Sequence, residues 1–582
     1  MFSIQRKHPE DYSGFEAIKK DDPDSRKQPK LTEMPTACCI VQKFEKNSRK
    51  QREISEAVVK MIVKDIRPIS IVENEGFRDL VSLLEPRYTM ASRQHITRRI
   101  LPEFLSRVQC SLESLLLDVS SCNLTLDIWS SRRMHAYMGI SIHFITDGWK
   151  LLTYLLACSK MSGSHTADNI QSEYDSIVSK YNLTGKVFKV VTDNASNMCA
   201  TFRDETSLPG FDGVVGEVDE FLDLGSGSES DSSDDTMAIE ELDKCLRELP
   251  ICPERLACFA HTLQLCIKDG LKAASALLSA IQKAGRIVKH VKKSTLATEK
   301  IETLFGKTLV SRNETRWNSQ VKMVRRLLEV DLSEIESEGM LLSGHEKAIL
   351  KEMVEVLEPF EEATDILQGD YVSISFAIPC YFGLLKHLSS SGVRYCKGLK
   401  TALKNSLTRR LGKICDDPTY VIAAILDPRF KLSWCESVDE SKYKLILLSE
   451  VAKFSPVHQD TKEASDTSTD EHVPPKKKKK KSKLFSFIES RSLPKRTSEQ
   501  ETEVFLHEGQ MDEMPLDYWA RKSSEFPILS QVARKYLAIP TTSARIERVF
   551  STAGKILRTD RSRLLPRNLE TLLYLKVNSN LL

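Results

Sequence analysis

An α/β layer arrangement, preceded by a small helical unit and followed by a long helical region, is the fold the sequence predicts. Three observations point to it. From Asn123 onward apolar residues alternate with a period of two, as strands require. A helical pattern and a further strand-like run, VFKVVTD, follow before residue 194. Residues 255–455 are then dominated by helical periodicity, as in EKAILKEMVEVLEPFEEATDIL.

The elements follow in order. Residues 1–54 are polar, charged and poor in apolar periodicity, a composition that predicts disorder. Over 55–118, Val58, Val59, Ile62 and Val63 form a helical stripe, and two further amphipathic segments complete a compact unit with Arg93, Arg98 and Arg99 on its polar side. Over 119–212, LTLDIWSS and AYMGISIHFITDGWKLLTYLLACSKM give three strands, the last two joined at Asp147-Gly148. A helix at 166–181 and the strand VFKVVTD follow. Residues 213–250 form an acidic insert, with eleven carboxylates between Glu217 and Asp243 in a Ser/Gly-rich stretch that predicts a disordered loop. Residues 251–454 are helical, 455–512 are low-complexity, and 513–582 are apolar and aromatic.

Composition excludes several classes. No apolar run reaches the 18 residues that suggest a membrane span, and MFSIQRKHPEDYSG has no apolar signal core, so an intracellular protein is expected. The 14 cysteines are scattered without a C-x-x-C pair, which fits reduced core thiols rather than a disulfide framework. The net charge of +3 averages the acidic insert against PPKKKKKKSK at 474–483. Six consecutive lysines flanked by proline read as a nuclear import signal, with a carrier as partner, or as a non-specific polyanion-binding run.

Two carboxylates hold strand-end positions: Asp127 in LTLDIWSS and Asp193 in VVTDNASNM. Asp193 and Asn194 also suit a plain strand end and turn, because their side chains satisfy nearby backbone groups. If the two strands are neighbours, both carboxylates project at one sheet end, where they repel unless a divalent cation lies between them. Two-metal phosphoryl-transfer sites usually draw on a third carboxylate.

The C-terminal block reads DYWARKSSEFPILSQVARKYLAIPTTSARIERVFSTAG and then RSRLLPRNLETLLYLKVN. It resembles the C-terminal dimerisation region of the hAT superfamily of DNA transposases, through Tyr518-Trp519, Phe526-Pro527, Ala533-Arg534 and the run Pro540 to Ser551. LTLDIWSS and VVTDNASNM are similar to that family's two catalytic-aspartate motifs, and MSGSHTADNI to the segment between them. CFAHTLQL is similar to its C-x-x-H motif and TRWNS to its Arg-Trp motif. The resemblance covers about 55–582 and is strongest to the branch that carries an N-terminal BED-type zinc finger.

The resemblance implies an RNase H-like catalytic core interrupted by a large all-α insertion. By position it makes Asp127, Asp193 and Glu547 a metal-holding catalytic triad, with Glu547 lying 354 residues after Asp193 (547 − 193). Mg2+ or Mn2+ is then the expected cofactor, DNA the expected partner, and cleavage with strand transfer the expected reaction. Arg316 and Trp317 are the implied DNA contacts, Arg316 meeting phosphate and Trp317 stacking a base; a buried core aromatic is the alternative for Trp317. Cys258 and His261 are expected to be structural, near the active site. No complete zinc site is expected, because MFSIQRKHPEDY, with His8, resembles only the end of a BED finger and lacks a preceding Cys pair.

In the last helix Leu569, Leu572, Leu573 and Val577 share a face, expected to serve both the monomer core and a homodimer. Two functions fit: a nuclear, dimeric transposase descendant with its triad retained, or a domesticated transcriptional regulator that binds DNA and dimerises without catalysis.

Overall fold

In a computed structural model the described residues are 42–131, 135–202, 253–312, 317–330, 341–454, 496–557 and 564–582. The BED-finger remnant, the acidic insert, Arg316 and the lysine run all lie outside them.

The described residues from 42 to Pro102 form one compact unit. Its first helix, Arg49–Lys64, starts where the Ser48 side chain accepts the Gln51 N–H, and it buries Val58, Val59, Ile62 and Val63, the stripe the sequence predicts. A five-residue π-helical turn, Ile96–Ile100, buries Ile96 and Ile100 and leaves Arg93, Arg98 and Arg99 exposed.

The second unit, from Glu103, is built on a five-stranded sheet. Its strands are β1 (Cys122–Ser130), β2 (Ala136–Ile145), β3 (Leu151–Lys160), β4 (Val187–Thr192) and β5 (Glu254–Ala257), in the order β3-β2-β1-β4-β5. The first three pair antiparallel; β4 lies parallel to β1, and β5 parallel to β4. β2 is buried along its whole length, with the polar Ser141 and His143 buried among its apolar residues. The crossover from β3 to β4 is the helix Ala167–Lys180, capped by Thr166 and buried through Ile170, Tyr174, Ile177 and Val178.

Between Phe259 and Ala452 the described residues contain nine α-helices and two short 3-10 helices, which share one apolar core that also takes in Trp149, Val191 and the aromatic residues of the C-terminal block. That block begins with helices Ser498–His507 and Pro515–Lys522. Phe505, Tyr518, Trp519 and Phe526 are fully buried in it. Trp519 stacks on Trp149 of the β2–β3 turn, with ring centroids 6.2 Å apart, and donates its indole N–H to the Leu426 carbonyl at 2.9 Å. The last helix, Pro566–Val577, lies on β3. Just beyond it the Asn578 amide completes the edge of β3, accepting the Leu155 N–H and donating to the Leu155 carbonyl, both at 2.9 Å. Leu569, Leu572 and Leu573 are therefore buried within the monomer. No described helix is long and apolar enough to cross a membrane.

Candidate active site

Asp127 lies in β1, with its Oδ1 accepting the N–H of Ile128 at 2.8 Å. Asp193 follows the last residue of β4. The parallel register pairs Thr125 with Val191, so two residues further on Asp127 and Asp193 come level at one end of the sheet. Glu547 sits in the first turn of the helix Ala544–Ile556, which packs on β1 and β2.

The seating of that helix is set by a small residue. Gly139 of β2 faces Asp127 across the β1–β2 ladder, and a methyl group at Gly139 would come within 2.6 Å of Ile546 and 2.8 Å of Phe550. Phe550 also stacks on Trp129, with ring centroids 5.9 Å apart. Without a Cβ at Gly139 the helix lies close enough for Glu547 to act electrostatically on Asp127. Burial pushes the Asp127 carboxyl up, and the charges of Asp193 and then Glu547 raise it further, to about 7 from an ordinary 3.8. The three carboxylates come from three well-separated parts of the chain.

The Asp193 loop is held from both sides. Asp193 Oδ1 accepts the Ala195 N–H at 3.2 Å, the turn-forming bond expected of an aspartate after a strand. Arg255 of β5 donates to Thr192 Oγ1 at 2.8 Å, to the Asp193 carbonyl at 2.6 Å and to Asn194 Oδ1 at 2.8 Å. Asn194 in turn donates to Thr262 Oγ1 at 3.1 Å. Sequence reasoning missed Arg255; the only signal was its place three residues before the C-x-x-H motif.

Cys258 is 1% exposed and joins three elements. Its N–H donates to the Thr192 carbonyl at 2.8 Å, and its sulfur accepts the Ser543 N–H at 3.4 Å. It directly precedes the helix Phe259–Lys272, while Ser543 precedes the Glu547 helix. Burial raises the thiol's pKa, which leaves it uncharged and fit for packing. The main-chain N–H of His261 also reaches this sulfur. The His261 ring is half-buried.

Trp317 opens the helix Trp317–Leu328 and is 8% exposed, packed in the apolar core of the helical region. Its ring has little face to offer a base. The alternative reading, a core aromatic, describes this position.

Behind Asp127 the same face of β1 carries Thr125 and Asn123, both fully buried. Thr125 Oγ1 bonds His143 Nε2 at 3.0 Å, and His143 Nδ1 bonds Thr153 Oγ1 at 3.0 Å. Burial, with the charge of Arg545, lowers the His143 pKa to about 3, so the imidazole is neutral and structural.

An all-carboxylate donor set suits a hard divalent cation such as Mg2+ or Mn2+. Burial first, and then the charges of Asp193 and Glu547, favour the protonated form of Asp127, a cost that a bound divalent cation would relieve. Among the described residues, however, no three His, Cys, Asp or Glu side chains are placed closely enough to hold a metal ion as they stand. The donor chemistry fits a divalent cation; closing the cage requires the side chains to draw inward.

Comparison with known proteins gives three family matches. The hAT family C-terminal dimerisation region matches residues 497–579, the ZBED1 RNase-like domain 125–209, and the ZBED1 RNase-like helical domain 256–352. Human zinc finger BED domain-containing protein 4 is 23% identical over 97% of this chain and 47% of its own length. The putative AC transposase of Zea mays is 25% identical over 88% of this chain and 63% of its own. The putative transcriptional regulator tpeD of Talaromyces stipitatus is 21% identical over 89% and 61%. The chain thus spans about half to two-thirds of the length of these relatives.

Proposed function

Because the chain is a protein of the hAT/BED type, we propose that it is a nuclear, self-associating DNA-binding protein whose Asp127, Asp193 and Glu547 form a site for metal-dependent DNA cleavage and strand transfer. The observation that carries the reading is geometric: the parallel register brings Asp127 and Asp193 level at one end of the sheet, and the helix bearing Glu547 packs on β1 and β2 beside them. A carboxylate tolerated in that company has a use for it, since structural packing alone would favour a neutral residue there. A bound divalent cation would supply charge for the developing phosphate oxyanion and a lowered pKa for water or a 3′-hydroxyl. The chain's own part is to hold the carboxylates. Arg255 fixes the Asp193 loop, Gly139 admits the Glu547 helix, and Cys258 ties the two together through Thr192 and Ser543.

The second reading is a DNA-binding dimer that regulates transcription without cutting. It is favoured by the spacing of the carboxylates, none of which belongs to a ready three-ligand group among the described residues. The printed name of the Talaromyces relative points the same way.

Incubation of the protein with DNA from its own genomic flanks, with Mg2+ or Mn2+ and with chelator, separates the two. Metal-dependent cleavage that disappears in Glu547→Ala supports the first reading. Binding without cleavage in both proteins supports the second, and neither binding nor cleavage sinks both.

A further inference from the structure

The helix that carries Glu547 also carries a basic row. At about 100° per residue, Arg548, Ser551 and Lys555 line its solvent face, with Glu547 on one flank and Arg545 on the other; all three of the row are exposed. Two of these cations are engaged by one acid. Asp370, just beyond the helix Gly344–Leu367, accepts with a single oxygen from Arg545 Nε at 2.9 Å and from Arg548 Nη1 at 2.6 Å. The second Nη of Arg548 donates to the Gln368 carbonyl.

Two guanidiniums on one carboxylate leave a net positive charge, and the arrangement is open to solvent, with Arg548 49% and Asp370 58% exposed at the side chain. Two guanidiniums converge with single bonds on one anionic oxygen, an arrangement that a phosphate oxygen could accept in its place. Because the arginines share a rigid helix with Glu547, whatever anion they hold is in register with that carboxylate.

We propose that Arg545 and Arg548 form a seat for a DNA backbone phosphate beside the Glu547 site, and that Asp370 fills the seat when DNA is absent. The inference rests on the DNA-binding reading above. On arrival of DNA the phosphate displaces Asp370 from the arginines, so the acid sets a threshold on binding that is independent of base sequence. Exposed ion pairs of this kind are weak enough to exchange.

The test is fluorescence anisotropy of a labelled duplex of about 30 base pairs, with the full chain and no divalent metal, over a range of salt concentrations. Asp370→Asn should bind about two- to fivefold tighter, the range set by exposed ion pairs, with a log K against log salt slope steeper by about one. Arg548→Ala should bind more weakly with a slope shallower by about one. The double variant should bind no tighter than Arg548→Ala. If Asp370→Asn instead leaves binding unchanged or weaker and lowers the unfolding midpoint, the cluster is a strut and the proposal is wrong. If the gain persists in the Arg548→Ala background, Asp370 acts only as bulk charge, which overturns the seat as well. A wild-type chain that fails to bind the duplex would sink the DNA-binding reading and this inference with it.

Discussion

Replacing Asp127 with asparagine tests the site without any substrate. The Asp127 carboxyl has its pKa moved from 3.8 to about 7 by burial and by the charges of Asp193 and Glu547. A folded-state pKa above the unfolded one means the native state holds a proton that the unfolded state has released. Stability is therefore fully present below pH 3.8 on this account, and it is lost as pH rises toward 7. A displacement of that size corresponds, at about 1.4 kcal/mol per pKa unit, to on the order of 4 kcal/mol of destabilisation above pH 7. An asparagine at this position would keep the acceptor for the Ile128 N–H and remove the charge. For a cooperative unit of residues 103–582 the unfolding entropy is about 1 kcal/mol/K, so Asp127→Asn should raise the midpoint at pH 8 by about 4 °C. At pH 5 the two proteins should differ much less. Millimolar Mg2+ should raise the wild-type midpoint at pH 8 and leave Asp127→Asn nearly unmoved. Scanning calorimetry from pH 5 to 8.5, with and without Mg2+, measures all of this. Parallel pH profiles for the two proteins would refute the argument, because they would mean that Asp127 carries no unfavourable charge in the folded state.

Three further perturbations bear on how the site is held. Gly139→Ala places a methyl 2.6 Å from Ile546 and should cost about 1–3 kcal/mol in denaturant unfolding. It should also reduce metal-dependent cleavage by more than that loss of stability explains, since it displaces the Glu547 helix; full activity would show that the close approach is not needed. Leu573→Asp buries a charge at a position 0% exposed against β3 and should remove soluble folded protein rather than split a dimer, a cost above about 4 kcal/mol. Light scattering that finds a folded monomer would return the dimer interface to this face. Asp427→Ala strips the fully buried partner of Arg429, bonded at 2.7 and 2.9 Å, and of Ser375, and should cost about 3–5 kcal/mol. A change below about 1 kcal/mol by urea titration would show that the cluster does not brace the helical region.

What the sequence disclosed follows the range over which its signals act. Alternation is local, so β1 to β4 and the crossover helix were legible, as was the Val58–Val63 stripe. The four-residue β5 was not, because ERLA is too short to alternate and pairs with β4 only through tertiary placement. Asp193 could be suspected from its strand end and Asp127 from a similar expected place, although β1 runs on past Asp127 to Ser130; Glu547 came from resemblance alone, its approach to Asp127 depending on the absence of a side chain at Gly139. Polar neighbours made Trp317 look like a surface residue. Its burial is set by the helices Ser275–Val291 and Gly344–Leu367, which pack against its own helix from distant parts of the chain. In the same way the apolar face of the last helix was visible, but the surface it covers was not. Periodicity says that a face is buried and is silent on what buries it.

That silence matters most for the C-terminal block, which completes the core and the candidate site in one step. Trp519 covers Trp149, Ile546 and Phe550 cover Gly139 and Trp129, and Asn578 closes the backbone of Leu155. Each contact joins the sheet to a residue more than 350 positions away, and Glu547 is carried in by the same packing. A chain cut after residue 496 would expose β2, buried along its whole length, and leave the Leu155 N–H and carbonyl without their Asn578 partners. Unpaired buried backbone groups and a bared apolar sheet cannot be offset by the remaining helices, because those helices share one core with the C-terminal block and lose part of it as well. The expected result is an insoluble or protease-labile fragment, restored to solubility when residues 497–582 are co-expressed as a separate chain. A truncated chain that is soluble, with native-like near-ultraviolet dichroism, would show that the sheet stands without this block. Glu547 would then dock onto a finished fold instead of arriving as part of its completion.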